Sequence, residues 1–184
     1  LEKASQNKKN KVFLTLIALI GISIIAVIIF KMGTPKAQVE DVNVYFSKVS
    51  GADVVVEPVE RHLPKTQDPL SYAMAELMEG PTEEEKDKGY FSEIPEGTRV
   101  ISITEQPGEV RINLNKQFVS GGGSNSVVNR LKELSNTALE AEPVRKVYLE
   151  IDGELLETIG GEGLEVIQPL QKNNLSADED NSRS

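Results

Sequence analysis

Val42, Val44 and Phe46 alternate with Asn43, Tyr45 and Ser47, the two-residue period of a half-buried strand. Ser50-Gly51-Ala52-Asp53 reads as a turn, and Val54-Val55-Val56 opens a second strand. Pro58 restricts its continuation to a sheet edge or a bulge, because proline brings no N–H to an interior ladder. The period then changes. Leu70, Ala73, Met74, Leu77 and Met78 recur at helical spacing after Asp68-Pro69, an N-cap followed by the residue that best tolerates the first helical position. Gly80-Pro81 ends that helix, and Thr82 with Glu85 forms a capping box for a further turn or two before Gly89.

A hairpin follows, Val100 to Thr104 against Val110 to Leu114 across Gln106-Pro107-Gly108. A second helix spans residues 125–140, with Val127, Leu131, Leu134 and Ala138 on one face, Val128 and Leu139 widening it, and Pro143 marking its end. Val147, Leu149 and Ile151 then pair with Leu155 onward across Asp152-Gly153, a two-residue turn that suits strand twist. The expected fold is α+β, a mainly antiparallel sheet with two helices packed on one face, in ββ-α-ββ-α-ββ order.

Ahead of this domain lies a stretch of another kind. Val12 to Phe30 carries no charge, and as a helix it reaches roughly 28 Å, close to a hydrocarbon core of about 30 Å. Lys8, Lys9 and Lys11 precede it, whereas Lys31 and Lys36 are soon followed by acidic residues, so the cationic side stays cytoplasmic. A cleaved signal peptide would have a shorter apolar region and a small-x-small site, and Lys31-Met32-Gly33-Thr34-Pro35 offers no good one. The expected organisation is a cytoplasmic tail over 1–11, a transmembrane helix over 12–30, a linker over 31–39, a domain over 40–170 and a disordered tail over 171–184. This places a single-pass protein in the cell membrane with its C-terminal domain extracytoplasmic.

The chain has 184 residues, 39% of them apolar, enough for one domain with a packed core. It contains no cysteine, which excludes thiol catalysis, thiolate zinc sites, disulfides and a lipidated cysteine. Net charge is −9; four lysines against one glutamate give residues 1–30 a charge of +3, leaving −12 on the remainder. So acidic a domain repels phosphate backbones, and nucleic acid is not expected as a partner.

Two glycine-rich loops are candidate structural or interaction elements. Ser120-Gly121-Gly122-Gly123-Ser124 directly precedes the second helix. Bare amides at a helix N-terminus can cradle an anion, but no lysine follows at phosphate-loop spacing, and a tight turn into the helix explains the glycines as well. Gly160-Gly161-Glu162-Gly163 reads as a bend or bulge after the last hairpin, and nothing else in the sequence supports Glu162 as an acceptor site. His62, the single histidine, lacks the companions of a base or ligand. The many carboxylates fall at helix starts and exposed strand positions and form neither a glycosidase pair nor a calcium loop. No catalytic, cofactor or metal residues are expected.

Thr66-Gln67-Asp68-Pro69-Leu70, Glu79-Gly80-Pro81-Thr82 and Ile94-Pro95-Glu96-Gly97-Thr98 look like successive blocks of the GerM domain of sporulation and spore germination proteins. So do Phe118 to Ser124 and Gly160 to Leu164, in the family's order. The resemblance covers about residues 40–170. It implies a non-enzymatic cell-envelope scaffold or assembly module, binding itself or another envelope protein in sporulation or germination complexes. The protein that gives the domain its name is usually a lipoprotein with two such domains, whereas this chain has one and no cysteine to lipidate. A peptidoglycan-binding domain is the alternative, weakened by the seven aromatic residues outside the apolar segment; a carboxylate-dependent hydrolase ranks third.

Overall fold

The computed structural model describes residues 41–143 and 145–171. The expected tail 1–11, transmembrane span 12–30, linker 31–39 and C-terminal tail beyond Gln171 lie outside them. No helix among the described residues is long and apolar enough to cross a membrane.

The fold is α+β, with mainly antiparallel pairing. Strands β1 (Asp41–Ser50) and β2 (Asp53–His62) form a ten-residue hairpin around Gly51-Ala52, with Gly51 at a φ of 65°. Helix α1 spans Pro69–Glu79, and the Asp68 carboxylate accepts from the Ser71 N–H as the spacing predicts. Gly80 leaves the helix at a φ of 81°. The short α2 (Glu83–Asp87) has its full capping box, the Thr82 hydroxyl accepting from the Glu85 N–H and the Glu85 carboxylate accepting from the Thr82 N–H.

After a two-residue β3 (Tyr90–Phe91), β4 (Val100–Gln106) and β5 (Glu109–Leu114) make the second hairpin. A 3-10 turn (Lys116–Val119) leads into α3 (Ser124–Ala141), followed by β6 (Lys146–Ile151), β7 (Glu154–Leu155), β8 (Thr158–Ile159) and β9 (Leu164–Glu165). The β6–β7 turn has Asp152 and Gly153 both at positive φ, 49° and 88°, the twist that a tight hairpin needs.

The sheet arrangement corrects the expected single sheet of sequential hairpins. Among the described residues the strands form three sheets, ordered β2-β1-β3, β4-β5-β6-β7 and β8-β9. β6 pairs with β5 in parallel, Glu109 opposite Lys146 through Leu114 opposite Ile151. The physical reason is α3: a helix between two strands carries the chain back to its starting end, so the next strand enters in the same direction. The bend expected at residues 160–163 is the loop of a separate small hairpin, β8–β9.

Both long helices pack on β1 and on each other. Phe46, Leu70, Met74, Leu77, Ile112, Phe118, Leu131, Leu134 and Leu149 are buried between these elements. The edge of β1 that faces away from β2 is covered by β3, paired at Ser47 and Lys48, and by side chains of α3. The Tyr45 N–H donates to Thr137 Oγ1 at 2.9 Å and the Ser47 N–H to Glu133 Oε1 at 3.0 Å. Because Tyr45 stands opposite Pro58 while its N–H turns away from β2, the nitrogen of Pro58 faces the free outer edge, where its missing hydrogen costs no ladder bond. Pro58 is thus on an edge strand, one of the two positions its sequence allowed. Arg61, further along β2, pairs with Glu76 of α1 and Glu85 of α2 and ties the strand to both helices.

Candidate functional site

The two glycine loops, residues 120–124 and 160–163, meet at the first turn of α3. They enclose a cleft of about 430 Å³. One wall is Gly122, Gly123 and Ser124; the other is Gly160, Gly161 and Glu162. Val127 and Val128 of α3, with Ile159 and Leu164 of the β8–β9 hairpin, supply its apolar floor. The sequence singled out both loops but gave no sign that they face one another.

The first loop is shaped from below. Phe118 is buried and anchors the 3-10 turn, after which Gly121 and Gly122 take φ of 61° and 87° to reach the helix start. Arg130, two turns into α3 and 2% exposed, holds the loop by its carbonyls. Its Nη1 donates to Phe118 O at 2.8 Å and Ser120 O at 3.2 Å, its Nη2 to Gly121 O at 3.2 Å, and its Nε to Glu93 O at 2.9 Å. A Cβ on Gly122 would stand 2.8 Å from Arg130 Nη2 and 2.9 Å from Ser126 Oγ. Glycine is therefore required there twice, for the positive φ and for the guanidinium.

Glu133 lies one turn further along α3, fully buried. Its carboxylate accepts from the Ser47 N–H and hydroxyl, from the Glu93 N–H and from the Ser92 hydroxyl, joining β1, the segment after β3, and α3. Burial pushes its pKa up to about 7, against the pull of those donors. Burial also lowers the pKa of Arg130, with Glu93 and Glu133 opposing. Sequence reasoning passed over both residues. A signal was present for Arg130, which stands three positions after Val127 and four before Leu134, on the buried stripe itself.

The second loop is set against the helix by Gly160, at a φ of 79°, where a Cβ would sit 3.4 Å from Val127 Cγ2. Gly163 N–H donates back to Gly160 O, closing the turn. Across the cleft the Ser124 hydroxyl donates to Glu162 Oε2 at 2.5 Å. Gly123 caps α3 with no side-chain acceptor, and the carboxylates at the helix N-terminus are the chain's own, Glu162 on Ser124 and Glu93 on Ser126.

Among the described residues no aromatic side chain lines the cleft, and Glu162 is the one ionisable lining residue. His62 is distant in the fold's logic, exposed at the end of β2 with Nδ1 3.0 Å from Asp41 Oδ1. Among the described residues no three His, Asp or Glu side chains are grouped to hold a metal.

Comparison with known proteins bears on this geometry. The family model for sporulation and spore germination (Germane) matches residues 43–157, more than half of the chain. Two solved structures from Bacillus subtilis are similar. The first GerMN domain of the sporulation protein GerM aligns with a TM-score of 0.58 at 18% identity, over 72% of this chain and 97% of that one. The tandem GerMN domains of the same protein align with a TM-score of 0.52 at 20% identity, over 68% of this chain; the match spans 43% of the tandem chain. At these identities the likeness is one of fold. No curated protein sequence matches the chain. The family match spans more than half of the chain and the fold agrees with it: this chain belongs to the Germane family of sporulation and spore germination domains.

Proposed function

We propose that the chain is a non-enzymatic scaffold or assembly module of the cell envelope, its GerMN domain tethered outside the membrane by residues 12–30 and joined to sporulation or germination complexes. The observation that carries this reading is the cleft between the glycine loops. Among the described residues its walls are backbone and aliphatic side chains with one hydroxyl, Ser124, and one carboxylate, Glu162, an arrangement suited to holding a surface and without the separate base and orienter that turnover requires. A domain held close to a membrane has a high effective concentration for neighbours in the same layer, which lets weak contacts build an assembly. Peptidoglycan binding is the weaker reading, because the cleft offers no ring on which a sugar could stack.

In-membrane crosslinking of the full chain in a spore-forming host, followed by identification of the adducts, tests the proposal. The expected result is a defined envelope partner or a homo-oligomer. A chain that stays monomeric in membranes and recovers no partner contradicts it. A reporter fused after Ser184 tests the tether: activity confined to the cytosol contradicts the placement outside the membrane.

A further inference from the structure

We propose that the cleft between residues 122–124 and 159–164 docks a basic, aliphatic peptide segment of another protein, with Glu162 receiving a lysine or arginine head group. This deepens the assembly reading above and rests on it.

Charge decides the sign of the occupant. The N-terminus of α3 would ordinarily attract an anion, but the Glu162 carboxylate already stands there, bonded to the Ser124 hydroxyl. An incoming phosphate or carboxylate would meet a like charge, so the anion cradle that the sequence allowed at 120–124 is disfavoured. A cation meets an opposite charge in Glu162, which offsets the positive end of the helix. The Ser124 hydroxyl occupies one acceptor position on Oε2, and an ionised carboxylate offers about four. The sequence beyond residue 30 carries −12 of net charge, which raises the local concentration of basic segments.

The rest of the cleft decides what kind of cation. Val127, Val128, Ile159 and Leu164 make a floor for branched aliphatic groups, with no ring for a sugar or a base. A volume of about 430 Å³ falls within the range of roughly 300–1,000 Å³ usual for ligand clefts. Gly123 and Gly161 have open space where a Cβ would project, so another main chain can approach these walls closely. A polypeptide carries all three matching features: an aliphatic side chain, main-chain donors and acceptors, and a cationic head on a flexible stem.

The test uses the full chain in detergent micelles, with amide NMR shifts read during titration by two blocked tripeptides. One has lysine between two leucines and the other has glutamate there. The lysine peptide is expected to shift the amides of 122–124 and 159–164 saturably, and the glutamate peptide to leave them in place. Glu162→Gln, which keeps an acceptor for Ser124, is expected to weaken the lysine peptide about two- to fivefold, the size of an exposed ion pair. Gly161→Phe, at an unstrained position with open space, is expected to keep the native amide spectrum elsewhere and abolish binding. Shifts confined to other surfaces, equal binding of the glutamate peptide, or full affinity in both variants overturns the proposal. A partner crosslinked in membranes wholly through another face also overturns it, while leaving the assembly reading in place.

Discussion

Replacing Glu133 by glutamine isolates the energetic consequence of a carboxyl group sealed inside the fold. In the native chain this side chain is 0% exposed, and its pKa is pushed up to about 7 by burial. The unfolded chain titrates the same group near the ordinary value of 4.5. Between those two values the folded state retains a proton that the unfolded state has released, so rising pH favours unfolding. Stability from this group is therefore complete below about 4.5 and is lost progressively as pH climbs toward 7, the reverse of a salt-bridged carboxylate. The interval corresponds to roughly 3 kcal/mol. Other carboxylates also titrate in this range, so the informative quantity is a difference. Urea unfolding of the native chain and of Glu133→Gln, measured from pH 4.5 to 8, should show the variant gaining on the native chain by roughly 3 kcal/mol as pH rises to about 7, then running parallel. The amide keeps a carbonyl for the Ser47 N–H and hydroxyl and offers the Ser92 hydroxyl a donor, so the variant should fold. A stability difference that stays constant over that range refutes the reasoning.

Gly122→Ala should cost about 2–3 kcal/mol in the same assay, since the methyl meets a guanidinium fixed by four carbonyls at a backbone φ of 87°; a loss below about 0.5 kcal/mol would show that Arg130 yields. Gly161→Ala, with open space and no positive φ, should change stability by less than about 0.5 kcal/mol, which thermal melting can check. Arg130→Met should loosen residues 118–121, seen as accelerated amide exchange there, and lower stability by about 2–4 kcal/mol because four carbonyls lose their donor. Pro58→Thr restores an outward N–H in the middle of the β2 edge and should increase concentration-dependent self-association, measured by light scattering, without lowering the midpoint of unfolding.

The features legible in the sequence were those whose chemistry is local. Asp68 caps Ser71 three residues on, Thr82 and Glu85 cap one another, and Asp152-Gly153 supplies both positive φ angles of its turn, each readable within four residues. Pro58 was readable as an edge or bulge because a missing N–H has few places to go. The parallel β5–β6 pairing was not, since register there links Glu109 to Lys146 and is set by where α3 delivers the chain. The separate β1–β3 bridge at Ser47 and Phe91 is non-local in the same way. The candidate loops 120–124 and 160–163 were each visible as glycine runs. Their meeting was not, because it depends on Gly160 resting on Val127 and on Ser124 reaching Glu162, contacts that no spacing rule encodes. Arg130 and Glu133 were passed over for the same reason: their partners lie on other segments.

The closure of β1 by α3 has a bearing on how the domain comes together. Two main-chain donors of the first strand find their acceptors on side chains 92 and 86 residues downstream. A chain emerging from synthesis or threading through a translocation pore can zip its first hairpin at once, yet that strand keeps an unfinished border until the long helix arrives. The Tyr45 and Ser47 protons thus act as clocks for helix arrival: in pulse-labelling they should become protected together with α3, and later than their neighbours bonded to β2.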